Sequence, residues 1–344
     1  LVHDRNISER ELIRRIRGLT DNGSHEAIMG IGDDCAVLRG HGNSVWLITT
    51  DTLVESVHFD LAWHPPRQLG RKAANVNISD IAAMGGRAIA ALLAIAVPDS
   101  EIDWLDEFLA GFVEALKEQG AELVGGDTVK SRDGTVFNVT IVGTMEGPDI
   151  LYRRGAQPGD LIWISGPVGE AAAGLALLKA GAAGQAAVEN KWQHLVKAHV
   201  DPEPQIVIGR HLARSGLVSA MIDVSDGLAT DLAHICEASG VAAVIRATDL
   251  PVSEELAAAA GYLGCSPLEW MLRGGEDYQL LFTAPADREA AIRNLIGDKT
   301  GRTIYSVGRI EAGAGVLLHL PDGRRMDVTY QGYDHFSSGR NQSD

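Results

Sequence analysis

Apolar runs in this chain stop repeatedly at a glycine or threonine followed by aspartate. Four such groups stand out: Gly32-Asp33-Asp34, Thr49-Thr50-Asp51, Gly126-Asp127-Thr128 and Asp223-Val224-Ser225-Asp226-Gly227. A fifth polar group, Asn77, Ser79 and Asp80, interrupts the otherwise apolar segment from Ala73 to Met84. Gly and Asp supply the turn and cap geometry that ends one element and starts the next, so the pattern predicts alternating α/β structure. One Asp beside a Gly is ordinarily a turn residue. Five such groups point to a shared site, because carboxylates beside apolar surface are costly unless paired or metal-bound.

The elements between these turns follow from periodicity. Ser8 with Glu11 is a capping-box pattern, and Leu12, Ile13, Ile16 and Leu19 then recur at helical spacing. Val45 to Thr50 reads as a strand that delivers Thr49, Thr50 and Asp51 at its end. Pro65 and Pro66 open a long helix through Met84, closed by Gly85 and Gly86. Ala88 to Val97 fits a buried strand or a buried helix, and periodicity does not separate them. Ser100 is placed as the cap of a helix from about Glu101 to Gln119, and Thr135 to Thr144 as a further strand. A second alternating series follows Gly147 and Pro148: strand Leu161 to Ser165, helix Gly169 to Ala180, an Ala/Gly-rich link around Gly181 to Ala187, strand Ala220 to Val224 and helix Asp226 to Ala238. Strands Tyr278 to Thr283 and Thr303 to Ile310 flank a helix from about Asp287 to Ile296. At 344 residues the chain is long enough for two cores, and the expected division is 1–148 and 149–344.

Charge excludes several functions. Acidic side chains number 46 against 30 basic ones, a net charge of −16, which disfavours a nucleic-acid binder. The longest apolar run, Ala88 to Val97, falls short of the ~18 residues that mark a membrane span. No apolar block follows Asp4 and Arg5, and Cys35, Cys236 and Cys265 lie far apart. A cytoplasmic protein with reduced thiols and no membrane partner is the expectation.

Carboxylates with hydroxyls form a hard oxygen set that suits Mg²⁺ or Mn²⁺, whereas zinc would want Cys or His clusters. Such a site either hydrolyses phosphate esters or holds a nucleoside triphosphate. GxxxxGK[ST], a helix-opening GxGxxG and the protein-kinase motifs are all absent. Seven lysines, none before Lys72, argue against a lysine-centred phosphate cradle; Arg153 and Arg154 are better candidates.

Eight segments together resemble the thiamine-monophosphate kinase family, within the aminoimidazole-ribonucleotide synthetase-like superfamily. They are GIGDDCAVL from Gly30, TTDTLVESVHF from Thr49, KAANVNISDIAAMGG from Lys72, LVGGDT from Leu123, RRGAQPGD from Arg153, IDVSDGL from Ile222, GGEDYQL from Gly274 and GYDHF from Gly332. The resemblance implies a two-domain α/β (α+β) fold, with an N-terminal sheet paired across a homodimer and a C-terminal α/β domain. It implies transfer of the γ-phosphoryl group of ATP onto thiamine monophosphate, with several Mg²⁺ ions. By the same resemblance Asp34, Thr49, Thr50, Asp51, Asp80, Asp127, Asp223 and Asp226 are expected as Mg²⁺ ligands. Gly126, Asp127, Arg153 and Ser225 would contact the nucleotide; His58, Glu276 and Tyr333 would line the thiamine pocket; Asp127, Arg153 and Asp223 would act in catalysis. Ser56 stands where glycine is common and Gln205 where arginine is frequent. Another ATP-dependent member of the superfamily and a non-catalytic Mg-nucleotide-binding regulator are the alternatives.

The substrates set the chemistry. A phosphate monoester has its second pKa near ~6, so the acceptor oxygen is largely ionised at neutral pH and needs no general base. The obstacle is repulsion between two phosphates, which divalent cations held by aspartates reverse.

Overall fold

A computed structural model describes residues 7–20, 26–98, 103–181 and 191–335. The chain builds two sheets from separate stretches. The first holds β1 (Ala27–Met29), β2 (Ala36–Arg39), β3 (Ser44–Val54), β4 (Arg87–Val97), β5 (Glu122–Lys130) and β6 (Val136–Glu146), in spatial order β1-β2-β3-β6-β4-β5. β4 pairs antiparallel with β6 and parallel with β5, which settles its ambiguous apolar run as a strand. Alternate β4 residues Ala91, Leu93, Ile95 and Val97 enter the core, as period-2 packing requires.

Two helices, α2 (Pro66–Ala83) and α3 (Leu105–Glu118), pack closely together over this sheet. Their crossing depends on two glycines. A Cβ on Gly70 would fall 1.9 Å from the Phe108 carbonyl oxygen, and one on Gly111 1.9 Å from that of Arg67. The first helix, α1 (Glu9–Thr20), starts where expected: the Glu11 amide donates to the Ser8 hydroxyl at 3.3 Å. Its apolar stripe nevertheless stays exposed, Leu19 at 80%. α3 begins at Leu105, after Trp104, later than its sequence predicts; Ser100 lies outside the described residues. Most of the Ala/Gly-rich link also lies outside them.

The second sheet comprises β7 (Leu161–Ile164), β8 (Ala220–Asp223), β9 (Ala242–Arg246), β10 (Leu280–Ala284), β11 (Tyr305–Glu311), β12 (Gly315–His319) and β13 (Arg325–Asp327), ordered β13-β12-β9-β11-β7-β10-β8. Helices α4 (Glu170–Lys179), α5 (Gln193–Val200), α6 (Ile206–Ser215) and α7 (Leu228–Ser239) belong to this half. β8 is an edge strand, yet all four of its residues are buried, because α2 of the first half packs against it. That contact places the C-terminal end of β8 against the polar turn of α2. No helix among the described residues is long and apolar enough to cross a membrane.

Candidate active site

Four elements deliver acidic groups to the junction. The loop before β2 carries Asp33 and Asp34, β3 carries Thr49 and Asp51, α2 carries Asp80, and β8 ends at Asp223. Carboxylate oxygens of Asp34, Asp80 and Asp223 lie within 4.8 Å of one another. Arg153 closes one side: its Nη2 and Nε donate to Asp34 Oδ1 at 2.6 and 3.1 Å, and its amide donates to the Asp33 carboxylate at 3.3 Å. The Thr49 hydroxyl donates to Asp80 Oδ2, and Ser79 Oγ donates to Asp223 Oδ2 at 2.5 Å. Asn77 accepts from the Asp51 amide at 2.9 Å. After β8 the chain wraps a buried carboxylate: the amides of Ser225, Asp226 and Gly227 donate to Asp231 Oδ2 at 3.0 to 3.1 Å.

Electrostatics show what this arrangement lacks. Burial raises the Asp34 carboxyl above the usual range despite the adjacent Arg153 guanidinium. Burial also raises Asp80, and the charges of Asp51, Asp223 and Asp34 push it further. Asp223 is pushed up to about 7, first by burial and then by Asp34. Asp226 reaches about 7 through burial and Glu9, and Asp33 about 7 through burial and Asp34. Two ionised carboxylates 4.8 Å apart repel by roughly 3–4 kcal/mol at an effective dielectric of 20. That exceeds the ~1 kcal/mol net worth of an ordinary hydrogen bond, so the hydroxyl donors alone cannot hold the cluster ionised. Asp34 Oδ2 is buried and has no hydrogen-bond partner among the described residues. Hard oxygens, mutual repulsion and an orphaned buried acceptor fit a divalent cation of the Mg²⁺ type.

A second group of side chains lies nearby. The Val54 amide donates to His58 Nδ1 at 3.0 Å, which leaves the proton of the neutral ring on Nε2. The His58 ring faces His335 at 5.1 Å between centroids, and His335 meets Tyr333 edge-on at 4.9 Å. Burial and His335 lower the His58 pKa against the opposing charge of Glu276, and burial and then Glu276 raise that of Tyr333, so the Glu276 carboxylate belongs to the same neighbourhood. It is not a free carboxylate: Lys72 Nζ lies 2.9 Å from one oxygen and His199 Nδ1 3.1 Å from the other. Lys72 and His199 hold its carboxyl well below the ordinary range against the opposing effect of burial. The phenol of Tyr278 is raised by burial, then by the charges of Glu276, Asp51, Asp223 and Asp80.

Three expected residues are not brought to the cluster within one chain. Thr49 and Thr50 are consecutive strand residues and face opposite sides of the sheet. The Thr50 hydroxyl therefore donates to the Val139 carbonyl at 3.0 Å and sits with Thr140 and Asn138 on the other face. Gly126 and Asp127 lie on β5, the far edge of the sheet, where Asp127 pairs with Ala94. Three strand spacings, about 14 Å across the sheet, separate them from β3. Ser225 and Asp226 lie in the loop directly after β8, and the Asp226 carbonyl accepts from the Tyr333 amide at 3.1 Å. Among the departures from the pattern, Ser56 adopts φ +64°, a conformation that favours glycine. Gln205 is buried and accepts from Arg302 at 2.7 Å.

The sequence matches the models of the AIR synthase related protein N-terminal domain over residues 32–145 and C-terminal domain over residues 157–320. The thiamine-monophosphate kinase of Escherichia coli is 37% identical over 310 residues, covering 90% of this chain and 92% of that protein. The chain belongs to the thiamine-monophosphate kinase family. The family is also evident in three dimensions. The structure of AaThiL complexed with AMPPCP and TMP matches with a TM-score of 0.83 at 33% identity, covering 96% of this chain and 97% of that one. That of the thiamine-monophosphate kinase from Stenotrophomonas maltophilia matches at 0.75 and 35% identity, covering 91% and 95%.

Several residues that shape this family member's site escaped the sequence reading. Lys72 entered only through a motif and the scarcity of lysine, Tyr278 only through a motif and a strand, and neither His199 nor Asp231 was singled out. A lone lysine in an apolar helical stretch was a usable sign, because a buried ammonium demands an acidic partner.

Proposed function

We propose that this chain phosphorylates thiamine monophosphate to thiamine diphosphate, with ATP as donor and Mg²⁺ held by Asp34, Asp80 and Asp223. The observation that carries this reading is the convergence of those three carboxylates from a loop, a helix and a strand to within 4.8 Å. Asp51 and Asp226, whose carboxyls are raised by burial as well, extend the acidic surface. When bound, Mg²⁺ would neutralise phosphoryl oxygens and allow two anionic substrates to approach. Similarity to AaThiL, solved with AMPPCP and TMP, supports the choice of donor and acceptor.

The protein's own groups then have defined tasks. Arg153 offers a guanidinium fixed against Asp34, so its charge is oriented before substrate arrives. Asp51 is anchored through its amide by Asn77, and Thr49 orients Asp80. With the acceptor phosphate already ionised, position and charge suffice for direct in-line transfer without a phosphoenzyme. His58, Tyr333 and the Glu276 group line the side where the thiamine moiety would sit, with Tyr333 offering a ring face to the thiazolium.

A homodimer belongs to the same reading. β5 is an edge strand whose nine residues are all exposed, including Val124 at 62% and Val129 at 51%. An exposed apolar edge invites pairing with a second copy. In that dimer Gly126 and Asp127 would serve the partner's nucleotide site. Residues 1–148 would form the nucleotide and dimerisation half and 149–344 the C-terminal half. A cytoplasmic location accords with three unpaired cysteines. Incubation with ATP, Mg²⁺ and thiamine monophosphate, followed by chromatography, tests the activity. Thiamine diphosphate should accumulate; its absence at saturating substrates would refute the assignment.

A further inference from the structure

Lys72 is fully buried on α2, eight residues before Asp80. Eight helical residues span about 12 Å, a spacing that the helix holds rigidly. The two residues engage different parts of the site. Asp80 joins the acidic cluster, whereas the Lys72 ammonium lies 2.9 Å from Glu276 Oε1. His199 on α5 approaches the second Glu276 oxygen at 3.1 Å. Apart from these contacts, the Lys72 ammonium and the His199 ring nitrogens have no hydrogen-bond partner among the described residues.

The loop that bears Glu276 comes from the other sheet and is tightly held. The Glu276 amide donates to the Ser225 carbonyl at 2.8 Å, and the Tyr278 amide to the Val224 carbonyl at 2.9 Å. Between them, Asp277 accepts from the Gly169 and Ala171 amides at 2.6 and 3.1 Å. Glu276 and Tyr278 both hold positive φ, +68° and +49°. Such conformations are unfavourable for non-glycine residues and persist where the surrounding structure fixes the geometry. A buried ion pair by itself adds little stability and is often replaceable by apolar side chains. Stability alone therefore does not explain the pair.

We propose that Lys72, assisted by His199, is a positioning residue that holds Glu276, and with it the organic end of the acceptor pocket, at a fixed distance along α2 from the acidic cluster. The pair thereby selects an acceptor by the distance between its cationic ring system and its reacting oxygen. This inference rests on the proposed phosphorylation of thiamine monophosphate.

Lys72→Met, which conserves volume, and Lys72→Arg, which conserves charge, test it in the full-length protein. Steady-state kinetics with thiamine monophosphate and with thiamine as acceptors would be combined with titration of MgATP. Lys72→Met should raise KM for thiamine monophosphate at least tenfold and narrow the preference over thiamine. KM for MgATP should change less than threefold, and Lys72→Arg should recover part of the loss. Unchanged KM for thiamine monophosphate in folded Lys72→Met would overturn the inference, as would equal losses toward MgATP and acceptor. Should Lys72→Met fail to fold, His199→Phe reads out the same contact with the same expected split. Failure of the wild-type protein to form thiamine diphosphate would remove the functional reading itself; normal wild-type turnover with an indifferent Lys72→Met removes only this inference.

Discussion

Ser79 on α2 donates its hydroxyl proton to Asp223 at the end of β8, 2.5 Å away. The bond joins the two halves of the chain inside the acidic cluster, so neither half contains the site alone. Groups that orient metal ligands typically matter 10–100-fold for affinity or activity. Ser79→Ala should therefore weaken Mg²⁺ binding by about that factor, read by calorimetric titration, while the far-ultraviolet dichroism stays unchanged. Equal affinity in the variant would show that Asp223 needs no orientation.

Thr49 and Thr50 provide an internal control. Only Thr49 reaches Asp80; Thr50 points to the opposite face of the sheet. Thr49→Val should lower turnover about tenfold and raise the Mg²⁺ concentration for half-activity, because a buried carboxylate loses a donor. Thr50→Val should alter the Mg²⁺ dependence less than threefold. Equal effects would mean that both hydroxyls serve the metal.

Edge strand β5 carries Asp127 away from the acidic cluster of its own chain. If the motif acts across a dimer, Asp127→Asn and Asp80→Asn subunits are each nearly inactive alone but complement when mixed and reassembled. A statistical mixture then contains half heterodimers, each with one intact site, and should recover about one quarter of wild-type activity. No recovery from two inactive variants would place Asp127 in its own subunit's site, and an Asp127→Asn variant active on its own would place it outside catalysis.

Acid stability should bear the mark of a buried histidine. Burial, then Lys72 and His199, lower the pKa of His64 from 6.5 to about 3. A folded value below the unfolded one means that the neutral ring contributes stability above pH 6.5, and that this contribution is lost as pH falls from 6.5 toward 3. The slope is about 1.4 kcal/mol per pH unit for one proton. His64→Gln can still donate to the Val200 carbonyl, which His64 Nε2 contacts at 3.0 Å, but does not titrate. Urea unfolding at pH 7, 6 and 5 should show a shallower acid loss in the variant. Parallel curves would rule out this origin.

The sequence revealed chemistry better than it revealed direction. Acidic turns after apolar runs marked Asp34, Asp51 and Asp223, and a polar interruption of an apolar helix marked Asp80, because the price of burying a carboxylate makes such placement rare. Alternation along β3 was already enough to separate Thr49 and Asp51 from Thr50, since successive strand residues face opposite sides. The Ala88 to Val97 run was undecidable because its identity as β4 comes from its neighbours β6 and β5, not from its own composition. Lys72, His199 and Glu276 meet from two helices and a distant loop, a contact with no local periodicity to announce it. The start of α3 moved to Leu105 because segment ends are governed by turn geometry and not by the apolar face.

The central claim is phosphoryl transfer from ATP to an acceptor phosphate at the Asp34, Asp80 and Asp223 cluster. A phosphorus NMR time course with ATP, Mg²⁺ and thiamine monophosphate measures it directly, with Asp80→Asn alongside. The account predicts that the monophosphate singlet gives way to the paired doublets of a diphosphate, in step with ADP, and that the variant is slower by at least a thousandfold. Growth of inorganic phosphate with the monophosphate singlet intact, or an Asp80→Asn rate near that of the wild type, would contradict it.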